Sequence, residues 1–201
     1  MSAPKWEIRQ ARFVAGAVHP SHYPAPPRPQ VAFAGRSNVG KSSVLNSLTR
    51  VRGLARVSRT PGLTQQINFF LINDEIYFVD LPGYGFAHVP PAIHRTWQRM
   101  VEAYLTRNAS LRLVVLLLDA RREPSPLDDL MVDYLRHQSV AFVPVLTKCD
   151  KLGKNALAKA QETVRRHYAL QPANPPLLIS AHNGTGRETL LQTIHSAAHG
   201  L

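Results

Sequence analysis

The chain has 201 residues, 44% apolar and 18% charged, with a formal net charge of +11. That is enough for one α/β domain with its own core and too little for two comfortable ones, and the balance excludes a mainly disordered chain. The longest apolar run, Leu113–Leu118, falls far short of the roughly 20 residues of a membrane-spanning helix.

In chain order, Met1–Arg12 carries scattered charge and no apolar block, so no secretory leader is expected. His19–Gln30 holds five prolines and reads as an extended lead-in, which sets residues 1–27 apart as a partly mobile segment before a domain over 28–201. Val31–Gly35 is a short apolar strand, and Lys41–Thr49 reads as a helix. Ile67–Ile72 and Ile76–Asp80 flank Asn73-Asp74-Glu75 as a hairpin. His94–Arg107 puts Trp97, Met100, Val101, Tyr104 and Leu105 at helical spacing, Trp97 as a packing residue. Leu111–Asp119 has the continuous apolar character of a strand buried on both faces.

Ser125-Pro126 starts a helix whose inner face is expected to be Leu127, Leu130, Met131 and Tyr134. Val140–Leu146 is a further buried strand, Lys154–Tyr168 a basic helix, and Leu177–Ser180 a short strand. Thr185 and Glu188 form a capping box for a last helix that buries Leu190, Leu191 and Ile194. This alternation predicts a three-layer α/β domain. Its sheet is mostly parallel and six-stranded, with one antiparallel edge strand, helices on both faces and ligands at the carboxyl ends of the strands.

The chemistry falls at those strand ends. Gly35-Arg36-Ser37-Asn38-Val39-Gly40-Lys41-Ser42 follows a buried strand, opens a helix and fits G-x-x-x-x-G-K-S. Its glycines let backbone N–H groups converge on phosphate oxygens, and the helix N-terminus adds its dipole. Lys41 then reaches the β and γ phosphates, and the Ser42 hydroxyl is a ligand for Mg²⁺. Asp80-Leu81-Pro82-Gly83 ends the hairpin strand, where a carboxylate can hold the Mg²⁺ water shell and the Gly83 N–H can meet a γ-phosphate.

Thr147-Lys148-Cys149-Asp150 follows the Val140–Leu146 strand. The Asp150 carboxylate only accepts hydrogen bonds, and guanine offers it N1–H and the exocyclic amine, whereas adenine presents an acceptor at N1. The Lys148 stem can lie along the base. Ser180-Ala181 ends the last strand, where a backbone N–H can meet guanine O6. Val51–Gln66 lacks apolar periodicity and reads as a functional loop, with Thr64 the candidate second Mg²⁺ ligand and Thr60 its competitor. Gly83–Pro91 is a natural second switch.

No Asp or Glu stands between Ile8 and Asn73, against nine Lys or Arg, which favours a polyanionic partner. A solvated basic surface is the alternative reading of that charge. The nine histidines and single Cys149 show no zinc-ligand spacing, and one cysteine cannot form an internal disulfide, so a cytosolic setting is the default.

The order of these motifs is similar to that of the translation-factor-like P-loop GTPases. More narrowly, Val31-Ala32-Phe33-Ala34-Gly35-Arg36-Ser37-Asn38, Thr60-Pro61-Gly62-Leu63-Thr64-Gln65, Ile67-Asn68-Phe69-Phe70 and Val79-Asp80-Leu81-Pro82-Gly83-Tyr84-Gly85 resemble the bacterial EngB ribosome-biogenesis GTP-binding proteins. The resemblance implies Mg²⁺-dependent hydrolysis of GTP to GDP as a switch in large-subunit assembly, with a role in cell division and septation. It assigns nucleotide contacts to Gly35, Arg36, Ser37, Asn38, Val39, Gly40, Lys41, Ser42 and Ser43, to Gly62, Leu63, Thr64, Gln65 and Gln66, and to Asp80, Leu81, Pro82 and Gly83. It adds Thr147, Lys148, Cys149 and Asp150, then Ile179, Ser180 and Ala181, with Mg²⁺ held by Ser42 and Thr64 and by Asp80 through water.

Lys41, Thr64 and Gly83 are the expected catalytic positions. Tyr84 stands where many Ras-like enzymes carry a water-orienting Gln, so slow intrinsic turnover is expected, and Asn38 raises K⁺ stimulation. Arg50, Arg52, Arg56 and Arg59 are the candidate rRNA contacts of a monomer. A guanine-nucleotide-gated RNA-binding module with incidental hydrolysis and a P-loop ATPase remain the alternatives.

Overall fold

The computed structural model describes residues 6–55, 66–85 and 91–201, with the backbone alone for 91–97. Its strands are β1 (Ala11–Ala17), β2 (Gln30–Gly35), β3 (Ile67–Ile72), β4 (Ile76–Asp80), β5 (Leu111–Asp119), β6 (Phe142–Thr147) and β7 (Leu177–Leu178). Its helices are α1 (Lys41–Thr49), α2 (Pro91–Arg107), α3 (Pro126–His137), α4 (Lys154–His167) and α5 (Arg187–His199).

One sheet joins all seven strands in the order β1-β3-β4-β2-β5-β6-β7. Pairing is parallel from β4 through β7, while β3 runs antiparallel to both β4 and β1. Alternate residues of the central strands feed two cores. Ala32, Ala34, Val114, Leu116 and Leu118 meet Met100, Tyr104, Val132, Leu135 and Val164 of α2, α3 and α4. Val31, Phe33, Leu113, Val115 and Leu117 meet Val44, Leu45, Leu48, Leu190, Leu191 and Ile194 of α1 and α5. Every second side chain of a strand points the same way, so burial on both faces requires the unbroken apolar run of β5.

The three-layer architecture agrees with the sequence reading, with three differences. The sheet has a seventh strand, and the single antiparallel strand, β3, lies inside the edge. Ala11–Ala17, which lies within the expected lead-in, pairs along β3 from Ala11↔Ile72 to Ala17↔Ile67. Asn73 makes the attachment: its side-chain oxygen accepts from the N–H groups of Arg9 and Gln10 (2.8 and 3.1 Å), and its amide donates to the Glu7 carbonyl (2.8 Å). Tyr23, from the proline-rich stretch, packs its ring 5.2 Å from Phe69 and 5.8 Å from Tyr104.

Second, α3 is rotated. Its buried residues are Asp128, Val132 and Leu135; of the expected inner face, Met131 and Tyr134 are half-buried against the core, while Leu127 and Leu130 are exposed, at 39% and 64%. Asp128 turns inward because it closes the capping box with Ser125 and also accepts a hydrogen bond from Tyr84. Third, the N-cap of α5 is Gly186, not Thr185. Gly186 has φ +73°, and a Cβ there would lie 1.7 Å from the Leu178 carbonyl oxygen, so only glycine fits against β7. The Thr185 carbonyl instead accepts from the Ser180 N–H at 3.0 Å.

Candidate functional site

The carboxyl ends of β2, β4 and β6 lie on one rim, and each runs directly into a motif. After β2 the chain turns through Asn38 (φ 65°) and Gly40 (φ 103°) before α1 begins at Lys41. Two left-handed residues in so short a loop turn backbone N–H groups inward and form a nest for an anion at the helix N-terminus. Gly35 lies so close to β5 that a Cβ would sit 2.9 Å from the Leu117 carbonyl oxygen. Val39 is buried, as are Leu81, Cys149 and Ile179, so these four can offer a ligand their backbone but little of their side chains.

The Lys41 ammonium pairs with the Asp80 carboxylate at the end of β4, with only 10% and 6% of these side chains exposed. A lysine and a carboxylate in contact here, beside the Ser42 hydroxyl at the start of α1, are suited to a phosphate and its hard cation. The described residues contain no cluster of three or more His, Cys, Asp or Glu that would cage a metal alone. Mg²⁺ fits such a set, because it takes one or two protein oxygens and completes its shell with phosphate and water.

Beyond Asp80, the turn folds against the phosphate loop. The Ser37 N–H donates to the Tyr84 carbonyl (3.0 Å) and the Tyr84 N–H to the Gly35 carbonyl (3.3 Å). A Cβ on Gly83 would come within 3.1 Å of the Ser37 hydroxyl. The Tyr84 ring points away: its hydroxyl donates to Asp128 Oδ1 at 2.8 Å. Burial first, and then the adjacent Asp128 charge, push the Tyr84 phenol far above its usual range, so it stays protonated.

The loop after β6 is joined to the phosphate loop by two side chains. The buried Thr147 hydroxyl is 2.8 Å from the Val39 carbonyl and 3.1 Å from that of Leu118. The Lys148 ammonium donates to the Asn38 carbonyl (2.8 Å) and to Asp119 Oδ2 (2.9 Å). Asp119 also holds Arg121 through two hydrogen bonds of 2.9 and 2.8 Å. Partial burial would raise the Asp119 pKa, but hydrogen bonds from Arg121 and Lys148 outweigh it and hold the carboxyl below the ordinary range. Asp150 Oδ1 accepts from the Ser180 hydroxyl at 2.7 Å. That hydrogen bond is the leading cause that keeps Asp150 below its usual pKa, so it stays an anionic acceptor at neutral pH.

The sequence-predicted residues of the three strand-end motifs therefore meet, together with Ile179 and Ser180. Ser180 acts through its hydroxyl as well, and its own N–H donates to the Thr185 carbonyl. Gln66 stands apart, with its amide on Asn68 Oδ1 at 3.0 Å and its side chain against Gly16 of β1. Thr60, Gly62, Leu63, Thr64, Gln65, Arg56 and Arg59 lie outside the described residues, and the Trp97 side chain is likewise not described. Arg50 and Arg52 are exposed just past α1. Two functional neighbours escaped sequence reasoning. Asp119 had a usable signal, a carboxylate that ends an apolar strand; Asp128 had only a local one, its place three residues after Ser125 in a capping pattern, which does not point to Tyr84.

Residues 30–148 match the family model described as 50S ribosome-binding GTPase. Over 164 residues the chain is 51% identical to the probable GTP-binding protein EngB of Geobacter metallireducens, covering 82% of this chain and 80% of that one. This chain is a member of the EngB family of GTP-binding proteins. The EngB of Syntrophus aciditrophicus is 48% identical over 191 residues, 95% of this chain and 96% of its own. A crystal structure of a probable GTP-binding protein EngB superposes with a TM-score of 0.72 at 23% identity, covering 86% of this chain and all (100%) of that one. A structure of Era in complex with MgGDPNP and nucleotides 1506–1542 of 16S ribosomal RNA has a TM-score of 0.65 at 21% identity, covering 84% and 56%. These last two likenesses bear on the fold alone. EngB membership carries a GTPase domain with it. No helix among the described residues is long and apolar enough to cross a membrane.

Proposed function

We propose that this chain hydrolyses GTP slowly in the cytosol and uses the nucleotide state to control binding to the large ribosomal subunit during its assembly, with cell division and septation dependent on that step. The observation that carries the reading is the cross-linking of the phosphate loop to the guanine loop, Thr147 to Val39 and Lys148 to Asn38, with Asp150 held anionic by Ser180.

In this reading Asp150 accepts both guanine donors, the Lys148 stem covers the base and the Ala181 amide meets O6. Lys41 exchanges Asp80 for the β and γ phosphates, so neither charge is left unpaired in a buried setting. Ser42 and Asp80 are then the residues that hold Mg²⁺, with Thr64 as the switch ligand. When bound, Mg²⁺ supplies neutralisation of the charge that builds on the phosphate oxygens. The Gly83 amide reads the γ-phosphate. Slow turnover follows from Tyr84, whose hydroxyl is committed to Asp128 and is not available to orient water.

The family description as a 50S ribosome-binding GTPase supports the ribosomal partner, as does the absence of acid from Ile8 to Asn73. Arg50, Arg52, Arg56 and Arg59 are the proposed phosphate contacts, with binding that weakens steeply with salt.

Two measurements test this. Asp150→Asn turns an acceptor into a donor and is expected to shift preference from guanine to xanthine nucleotides; a variant that still prefers GTP refutes the assignment. Co-sedimentation with large subunits is expected to be stronger with a GTP analogue than with GDP, and equal binding removes the switch.

A further inference from the structure

Tyr84 follows Gly83 directly and is held from two sides. On the phosphate-loop side its carbonyl accepts from the Ser37 N–H at 3.0 Å and the Ser37 hydroxyl at 3.3 Å, and its own N–H donates to the Gly35 carbonyl. On the other side its hydroxyl donates to Asp128 Oδ1 at 2.8 Å.

Asp128 is itself fixed. Its second oxygen accepts from the Ser125 N–H (2.9 Å) and the Ser125 hydroxyl (2.6 Å), and the residue is 4% exposed. These hydrogen bonds hold Asp128 as a fixed post in the first turn of α3. Gly85 completes the clamp, since a Cβ there would lie 3.1 Å from the Leu127 side chain. The turn 83–85 is thus gripped between the phosphate loop and the first turn of α3.

Capping α3 needs only Ser125 and Asp128. The phenol adds nothing to that cap, but it fixes the residue next to Gly83. A turn that contains two glycines pays a large ordering cost if it must be arrested only when a ligand arrives. GDP, which lacks the γ-phosphate, does not call on the Gly83 amide; GTP does.

We propose that Tyr84 and Asp128 are positioning residues for GTP recognition: their hydrogen bond pre-sets the Gly83 amide against the γ-phosphate and so sets how well the site separates GTP from GDP. This rests on the GTP reading above.

The test uses the full chain and calorimetric titration with GDP and with a β,γ-imido analogue of GTP, alongside single-turnover hydrolysis. Tyr84→Phe removes one charge-assisted hydrogen bond. It is expected to weaken analogue binding about tenfold, with GDP affinity within about twofold of the parent. Asp128→Ala removes the acceptor and is expected to reproduce the same selective loss; it carries the test if the phenylalanine variant does not fold. Equal loss for both nucleotides marks a mere structural brace, and unchanged affinities mark an idle contact; either overturns the proposal. Failure of the underlying reading is seen separately, as a parent chain that holds ATP as tightly as guanine nucleotides.

Discussion

Thr147 occupies a position where many GTPases carry Asn, and its replacement by valine isolates one interaction. Valine preserves the shape and the β-branching of the strand and removes only the hydroxyl. That hydroxyl has one proton and two acceptors in reach, the Val39 carbonyl at 2.8 Å and the Leu118 carbonyl at 3.1 Å, at a residue 2% exposed. No water can replace it at that depth, so the variant loses a buried hydrogen bond and leaves an acceptor unpaired. Such a loss costs about 1–3 kcal/mol. In a domain of this size each kcal/mol moves Tm by roughly 2–4 °C, so thermal unfolding is expected roughly 2–12 °C lower. Thr147 ties the phosphate loop to the guanine loop, so GDP and GTP should both bind more weakly, unlike the selective loss expected at Tyr84. Thr147→Ser keeps the donor and should remain close to the parent in both measurements. A valine variant that melts with the parent and binds GDP equally well would refute the claim that this hydroxyl holds the two loops together.

Two further outcomes follow from local geometry. Asp119 has a lower pKa in the folded chain than in the unfolded one, because hydrogen bonds from Arg121 and Lys148 outweigh its partial burial. Its contribution to stability is therefore complete above the ordinary carboxylate pKa of about 3.9 and is lost as pH falls from there through the folded value. Asp119→Asn should flatten the acid limb of the stability profile below about pH 4, measured by urea unfolding at a series of pH values; an unchanged limb would show that the pairing contributes nothing. On α3, Leu135→Ala should cost about 2–5 kcal/mol, whereas Leu130→Gln should stay within about 0.5 kcal/mol, since Leu135 is fully buried and Leu130 is 64% exposed. The reverse order in urea unfolding would restore the helix orientation expected from periodicity.

That helix shows where the sequence stops being legible. Leu127, Leu130, Met131 and Tyr134 form the more apolar stripe, yet α3 turns Asp128 inward because Ser125 and Tyr84 supply its hydrogen bonds. Periodicity registers side-chain polarity but not whether a polar group finds a partner 44 residues away. The edge strand was hidden for a similar reason. Ala11–Ala17 has a mixed burial pattern, and what makes it a strand is the exposed edge of β3 together with Asn73, 63 residues from Gln10. The cap of α5 was missed because a steric limit set by the Leu178 carbonyl overrode a good local capping pattern.

The loop after β2, the aspartate that ends β4 and the loop after β6 could be placed without tertiary information. Each is a short run that takes its shape from its own backbone turns and from following a strand, so spacing alone locates it. The same holds for the hairpin, where Asn73 and Asp74 both adopt positive φ at the turn between β3 and β4. The tertiary structure decided how those local devices are held relative to one another: Thr147 on Val39, Lys148 between Asn38 and Asp119, Ser180 on Asp150 and Tyr84 on Asp128. A buried polar group must find a partner wherever the fold brings one, and that partner's place along the chain follows no local period.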